Sequence, residues 1–222
     1  MNRFKKRIFL PILFSATLLA HNLQLHYDLG RKHFTSTFEM YVEDKLGYTF
    51  WFMDIDYNNP VNGFKNASLA YGEFFRYFSI SRTRQLYFTI QYNDGLTNSF
   101  SFNPVWLAGI QAPILKLPCE ILLRKEVGTR GLTFQVTFVW FYDFERFEIS
   151  GYIDIWNTGN GYPKNRLAFM SEPQFWYKVT PSIYLGGEIE ISTNFSGAWT
   201  KDRNFQKDKL FIIPTVGLKW VF

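Results

Sequence analysis

Apolar and polar residues alternate at every second position over long stretches of this chain. Between residues 132 and 143, one face is apolar throughout and carries Leu132, Phe134, Val136, Phe138, Trp140 and Tyr142. The opposite face is mostly polar and carries Thr133, Gln135, Thr137 and Asp143, with Val139 and Phe141 as exceptions. Residues i and i+2 lie on one side of a β-strand, whereas a helix would scatter both sets around its circumference. The pattern therefore predicts an amphipathic strand.

The same period of two recurs along the chain and predicts about twelve strands. The clearest segments are 23–29, 36–43, 49–57, 86–93, 132–143, 147–156 and 183–192. The alternation is less regular in 67–80, 102–114, 119–128 and 165–179, and the last strand is predicted over 209–222. Glu73 and Arg76 differ in parity, so we expect a bulge or a strand end nearby. Pro173 falls in mid-strand, where we expect a bulge.

The predicted connections alternate in length. Those after the third, fifth, ninth and eleventh strands are long, namely Asn58–Asn66, Asp94–Ser101, Asn157–Lys164 and Ser196–Lys207. Most of the others are short turns. Long loops therefore gather at one rim and short turns at the other, which is typical of an up-and-down antiparallel barrel in an outer membrane.

The N-terminus has the layout of an export signal. Basic residues at 3, 5, 6 and 7 precede the apolar run Ile8–Phe14, and the small residue Ala20 suits a cleavage site. An N-terminal membrane anchor is the alternative, but Pro11 and the short apolar run argue against it, because a spanning helix needs about 20 apolar residues. We expect a signal peptide over residues 1–20 and one barrel domain over 21–222.

Three features favour a membrane barrel over a soluble β-sandwich, which would show the same alternation. The first is the export signal. The second is composition, since 20% of the residues are aromatic and 47% are hydrophobic, although the mean hydropathy is only −0.13. The third is the ending, where apolar residues at every second position finish in Trp220 and Phe222, resembling the insertion signal of outer-membrane barrels. Because lipid cannot satisfy free backbone groups, spanning strands must close into a cylinder.

Charge and cysteine content exclude several classes of function. The net charge of +5 comes largely from the basic N-terminal residues, so the remaining chain is nearly neutral and offers no footprint for nucleic acid. Cys119 is the single cysteine, which excludes an intramolecular disulfide and a cysteine metal cluster. We expect no cofactor, no metal site and no catalytic residues.

If the apolar face meets lipid, the polar face lines the barrel interior. It then presents nine acids, Asp28, Glu39, Asp54, Asp56, Glu148, Asp154, Glu172, Glu188 and Glu190. Against these stand Arg124, Lys178 and Lys219. Acids and bases should pair there, because unpaired charges in a confined site are costly. The acid excess would disfavour anions in a pore. The pattern leaves open whether the interior is a pore or is filled by this network.

Four stretches carry a resemblance to a known family, namely Leu23–Gly30, Phe52–Tyr57, Ser171–Tyr177 and Pro214–Phe222. They resemble a family of Gram-negative outer-membrane barrel proteins of unknown function, which is itself similar to the Tsx nucleoside-specific channels. The resemblance implies a twelve-stranded monomeric barrel in the cell outer membrane, with both termini periplasmic. It suggests passage of nucleosides or other small polar solutes.

A nucleoside path would need aromatic faces for the base and polar groups for the sugar. Inward-parity aromatics are Phe50, Phe52, Tyr152, Trp156, Trp176 and Tyr184. The candidate path residues are Asp28, Glu39, Phe52, Asp54, Asp56, Arg124, Tyr152, Asp154, Glu172, Gln174, Trp176, Glu188, Glu190 and Lys219. The expected partners are outer-membrane lipid, the barrel-assembly machinery and a small polar solute.

Two other functions compete with a channel. A barrel lipid hydrolase needs a serine and a histidine in hydrogen-bond reach. The candidates are His21, His26 and His33, the last close to Ser36 in sequence, but no signature surrounds them. A structural or adhesion barrel would instead act through its long loops.

Overall fold

The computed structural model describes residues 19–61, 64–198 and 204–222. The described residues form thirteen β-strands in one sheet and one 3-10 helix, Ser196–Ala198. No helix with the length and apolarity of a membrane span occurs in these three ranges. The strands are β1 Leu19–Asp28, β2 His33–Asp44, β3 Gly47–Val61, β4 Phe64–Ser81, β5 Leu86–Thr97, β6 Val105–Ile114, β7 Leu117–Glu126, β8 Thr133–Asp143, β9 Phe147–Asn157, β10 Leu167–Ser171, β11 Gln174–Lys178, β12 Ile183–Thr193 and β13 Leu210–Val221.

The sheet closes on itself. Every strand is antiparallel to the strands with which it pairs, and β13 pairs with both β12 and β1. At this seam Leu23 lies opposite Trp220 and Leu25 opposite Leu218. β10 and β11 occupy one position between β9 and β12, so the thirteen segments make twelve strand positions. The predicted closed up-and-down barrel of about twelve strands is confirmed.

The pairing register sets the size of the barrel. Following paired residues once around the cylinder returns to β1 displaced by about 16 residues, which gives a strand tilt near 45° and a backbone radius of roughly 12 Å. Eight-stranded barrels are narrower and are filled by side chains, whereas barrels of sixteen or more strands hold wide channels. This barrel falls between the two.

The outer face is apolar around the whole circumference. Large apolar side chains are exposed on strands all around the barrel. Examples are Leu25 on β1, Met53 on β3, Ile121 on β7 and Leu185 on β12. Soluble monomers rarely expose contiguous apolar surface beyond a few hundred Å². Aromatic side chains cluster at the turn end of this face, namely Phe78, Phe88, Tyr142, Phe147, Tyr177, Trp220 and Phe222.

Pro173 interrupts one strand without changing its register. β10 and β11 pair with β9 in the same register, with Ser171 opposite Ile153 and Gln174 opposite Ser150. The bulge expected at Pro173 is therefore absent. Because proline has no N–H, it removes one ladder hydrogen bond, but its carbonyl still accepts one from Ile189 N at 3.0 Å.

Two further expectations are corrected in β3 and β4. Pairing is regular between Glu73 and Arg76, and the register shifts lie instead between Asp56 and Asn59 and between Ser79 and Ser81. Arg76 keeps its outward parity because its guanidinium reaches the rim and pairs with Asp44 at 2.8 Å. The predicted loop Asn58–Asn66 is wrong, since both strands continue as a paired hairpin to Val61 and Phe64.

The predicted signal peptide falls mainly on residues 1–18, which lie outside the described residues. Leu19 and Ala20 open β1, where they pair with Val42 and Tyr41 of β2. Cleavage after Ala20 stays a prediction. Leu19, the C-terminal Phe222 and the turns after β2, β4, β6, β8 and β11 share one end of the barrel, called here the turn end. The remaining connections share the other end, called the loop end.

Candidate functional site in the barrel interior

Strand pairing turns every predicted path residue toward the barrel interior. Asp28, Glu39, Phe52, Asp54 and Asp56 share inward parity on β1 to β3, since Glu39 lies opposite Phe52 and Thr37 opposite Asp54. The remaining predicted residues have the same inward parity on later strands and on the β10–β11 link, namely Arg124, Tyr152, Asp154, Glu172, Gln174, Trp176, Glu188, Glu190 and Lys219. Their inward parity agrees with the alternation in the sequence, and their role as a solute path stays a prediction.

Five carboxylates form a belt at one level of the interior. The acidic belt consists of Asp54, Glu73, Asp154, Glu172 and Glu188, which come from β3, β4, β9, the β10–β11 link and β12. Glu73 interacts electrostatically with Asp154 and Asp54, and Glu172 with Glu188 and Asp54. These pairs join β3 and β4 to the opposite wall, so the carboxylates face each other across a narrow space.

Neutral donors hold the acidic belt. Thr37 Oγ1 donates to Asp54 at 2.5 Å, Tyr71 Oη to Glu73 at 2.7 Å, and Gln174 Nε2 to Glu188 at 3.2 Å. All five belt carboxylates are partly exposed although they point inward. Their exposure must come from the interior, so the middle of the barrel contains space that water can reach.

The turn end is closed off beside β11 to β13. Lys219 Nζ hydrogen-bonds the Glu148 carboxylate and lies 4.9 Å from the Trp176 ring centre and 5.5 Å from that of Tyr184. Trp176 is only 1% exposed, and its indole N–H donates to Gln174 at 2.9 Å. Trp176 therefore packs inside this cluster rather than facing open space.

An arginine crosses the loop end. Arg31, in the β1–β2 connection, donates from Nη1 to Asp28 at 3.0 Å and from Nη2 to Glu190, although β13 separates β1 from β12. Beside it, His33 Nε2 lies 3.4 Å from Asp56. Sequence reasoning missed Arg31 because a connection has no periodicity that would show where its side chain points.

Glu120 is the centre of a second buried network that the sequence did not reveal. Its carboxylate accepts hydrogen bonds from Tyr77 Oη at 2.6 Å, Gln91 Nε2 at 2.6 Å and Gln111 Nε2 at 2.9 Å. Tyr48 Oη donates to Gln111 at 2.8 Å and extends the network to β3. The network ties five neighbouring strands together, β3 to β7, along one wall.

The predicted pairing of interior bases is confirmed in part. Lys219 pairs with the predicted acid Glu148, whereas Arg124 contacts Glu126 at 3.5 Å and Lys178 contacts Asp143, neither of which was predicted. Within the described ranges, no Lys or Arg makes an ion pair with a belt carboxylate, and His26 approaches Glu188 at 3.9 Å. The belt is therefore a group of carboxyls that no Lys or Arg of these ranges contacts directly.

Aromatic rings line the wall formed by β3 and β4 from the turn end to the loop end. Ring centres of Phe50 and Phe75 lie 5.6 Å apart, those of Phe52 and Tyr71 6.3 Å, and those of Tyr71 and Phe102 6.1 Å. We call this set the aromatic track, and it comprises Tyr48, Phe50, Phe75, Phe52, Tyr71 and Phe102. Every ring of the track is partly exposed inside the barrel.

The histidines are placed away from a hydrolase arrangement. His26 Nδ1 lies 2.9 Å from Thr215 Oγ1, and its Nε2 lies 2.8 Å from Gln24 Oε1. Ser36 points outward and bonds the Tyr57 hydroxyl at 2.9 Å, so it does not face His33. In the described part of the chain, no three His, Cys, Asp or Glu side chains are arranged to hold a metal ion.

Several solved barrels resemble the structure at low sequence identity. The KdgM porin in complex with disordered oligogalacturonate is 9% identical, covers 92% of this chain and 98% of its own, and gives a TM-score of 0.46. A mutant of Rh. blastica porin is 8% identical over 92% of this chain and 98% of its own, with a TM-score of 0.37. CdiB from Acinetobacter baumannii is 8% identical, covers 92% of this chain and 60% of its own, and gives a TM-score of 0.35.

No curated protein matches the chain. Residues 20–222 match the model of the domain of unknown function DUF5020, and the chain belongs to that family.

Proposed function

We propose that this barrel lies in the outer membrane as a monomer and forms a narrow channel for small polar solutes that disfavours anions. The observation that carries the proposal is the acidic belt, whose five carboxylates face a water-accessible interior and form no ion pair with Lys or Arg in the described ranges. Rings of Asp and Glu favour cations in a pore, because an anion approaching them gains no counter-charge.

The membrane location is supported by the outer face. Its exposed apolar residues surround a closed cylinder, and closure is what lets a sheet cross lipid without unpaired backbone groups. Cell fractionation tests this location. Recovery in the soluble periplasmic fraction, or extraction without detergent, would contradict it.

Conduction is tested by planar-bilayer recording of the refolded protein in a KCl gradient. We expect a reversal potential that shows preference for K⁺ over Cl⁻. Glu73→Gln combined with Asp154→Asn should lower that preference, since it removes two interacting carboxyl groups from the belt. Glu145→Gln, in the exposed β8–β9 turn, is the matched control and should change nothing. A silent bilayer with correctly folded protein would defeat the channel and favour an adhesion or structural role for the loops.

Nucleosides are one solute class within this proposal. The inward rings and carboxyl groups supply the stacking faces and hydrogen-bond acceptors that a base and a ribose need. Titration of the open channel with adenosine and uridine should reduce the current in a saturable way. Unchanged current at millimolar nucleoside would remove this class while leaving the channel itself intact.

A further inference from the structure

The aromatic track differs from three other interior aromatics, Trp156, Trp176 and Tyr184, in being uncovered. Trp176, Tyr184 and Trp156 are buried, the first two beneath Lys219 and the third against Arg124, whose guanidinium lies 5.5 Å from the ring centre. The rings of the track have no cation over them among the described contacts, and they remain partly exposed. Free space in the barrel therefore adjoins β3 and β4.

The track is continuous along the barrel axis. Tyr48 stands at the turn end of β3, followed by Phe50 and Phe52 on the same face, 6.3 Å apart. Tyr71 and Phe102 continue it to the loop end across Gly95, where an added Cβ would lie 2.6 Å from Phe102 Cδ2 and 2.8 Å from Tyr71 Cδ2. Because glycine leaves this space, two rings lie against the wall where a larger side chain would displace them.

The acidic belt crosses the track at mid-height. Asp54 and Glu73 have the same inward parity as the track rings on their own strands, and the Tyr71 hydroxyl donates to Glu73. Asp154, Glu172 and Glu188 face them from the opposite wall. A solute lying on the rings would therefore meet carboxylates at its edge, and ionised carboxylates only accept hydrogen bonds.

We propose that the aromatic track is a sliding surface for ring-shaped solutes that have a flat apolar face and hydroxyl or amino donors at the edge. The inference rests on the proposed channel function and names its substrate class. Rings stack on the track through their faces, since aromatic surfaces attract apolar ring faces and C–H edges. Edge donors bond the belt, and a carboxylate on the solute would be repelled. Saccharides and nucleosides share this chemistry.

The experiment measures block of the single-channel current by solutes that share a ring and differ in charge. Glucosamine, glucose and glucuronate form one series, and adenosine supplies an aromatic ring. We expect the half-blocking concentration to rise from glucosamine to glucose to glucuronate. The adenosine and glucose arms show which ring chemistry the track takes, and saturable block by either supports the proposal.

Phe50→Leu combined with Phe75→Leu removes two flat faces while keeping apolar side chains in the wall. This variant should raise the half-blocking concentration of every blocking solute roughly tenfold. Phe88→Leu, on the outer face, is the matched control and should behave like the unsubstituted protein. Folding of each variant is checked by the gel shift between unheated and boiled samples.

Two outcomes separate this inference from the function on which it rests. A conducting channel that no ring solute blocks, or whose block is the same in the Phe50→Leu, Phe75→Leu variant, would overturn the sliding surface and leave the channel standing. An absence of conductance from folded protein would remove both. Stronger block by glucuronate than by glucosamine would also contradict the role given to the belt.

Discussion

The Lys219 ammonium group on β13 is hydrogen-bonded to the Glu148 carboxylate on β9, although β11 and β12 lie between them. Lys219 is 4% exposed and Glu148 8%. This pair therefore spans the interior next to the seam where the last strand meets the first.

Removing one partner of this pair should be strongly destabilising. Glu148→Gln or Lys219→Met leaves a buried charge uncompensated, which costs about 3–5 kcal/mol of the free energy of unfolding. Urea titration of the refolded protein in micelles, followed by tryptophan fluorescence, measures the loss. The double variant Glu148→Gln, Lys219→Met should recover part of it, and a double variant as unstable as the sum of the singles would contradict a direct interaction.

The Glu120 network predicts a graded response. Tyr77→Phe removes one charge-assisted hydrogen bond and should cost about 1.5–3 kcal/mol, whereas Glu120→Ala leaves three donors unpaired and should cost more. Tyr92→Phe is the control, because its hydroxyl bonds Asp94 on the outer face. Equal unfolding midpoints for Tyr77→Phe and Tyr92→Phe would show that burial adds nothing at Tyr77.

Gly151 has no room for a side chain. Its φ is +152°, and an added Cβ would lie 2.5 Å from Trp140 Cζ2 and 2.6 Å from the Glu172 carbonyl oxygen. Gly151→Ala should therefore lower the free energy of unfolding by about 1–3 kcal/mol. Gly131→Ala is the comparison, because Gly131 also has a positive φ, +86°, but no atom lies within 4 Å of the added Cβ. It therefore measures the cost of backbone strain without the cost of a steric clash. The prediction fails if Gly131→Ala proves the more damaging substitution.

Phe222 should matter for assembly more than for stability. Its ring is 52% exposed on the outer face and packs mainly on Trp220, with ring centres 4.7 Å apart. We expect Phe222→Ala to lower the amount of folded barrel in outer-membrane fractions severalfold, because the terminal aromatic is the predicted signal for the assembly machinery. Phe134→Ala removes a similarly exposed outer ring and should assemble normally. Equal yields of the two variants in vivo would count against the signal.

Arg124 places a positive charge near the acidic belt. Its guanidinium interacts electrostatically with Glu73 and Asp154. Arg124→Gln should raise the K⁺ over Cl⁻ permeability ratio severalfold, because one opposing charge is lost beside the belt. Reversal potentials at two salt concentrations measure the ratio, and the difference should shrink at the higher concentration as screening grows. A lower ratio in Arg124→Gln would mean that Arg124 does not oppose the belt.

The alternation of apolar and polar residues was enough to predict the barrel and the orientation of its side chains. Lipid on one side and water on the other impose a period of two that each regular strand must show, so Asp54 and Glu188 could be assigned inward from parity alone. Closure followed from the need to pair every backbone group in lipid.

Strand β4 shows where parity fails as a guide. Tyr71, Phe75 and Tyr77 point inward while Phe74 and Phe78 point outward, so aromatic residues occupy both faces and hide the period. Glu73 and the two β4 rings of the aromatic track, Tyr71 and Phe75, were missed for this reason. Their positions become evident only from the register with β3, which no single strand encodes.

Closure of the sheet by β13 has a consequence for how the protein must be made. Until residues 210–221 have been synthesised, β1 and β12 each present a full row of unsatisfied backbone groups, the kind of edge that recruits other chains into aggregates. A chain truncated before residue 210 lacks β13, so the free backbone groups of β1 and β12 keep no partner strand of the kind described here. β13 holds only about one twentieth of the 222 residues, yet the cylinder cannot close as described without it.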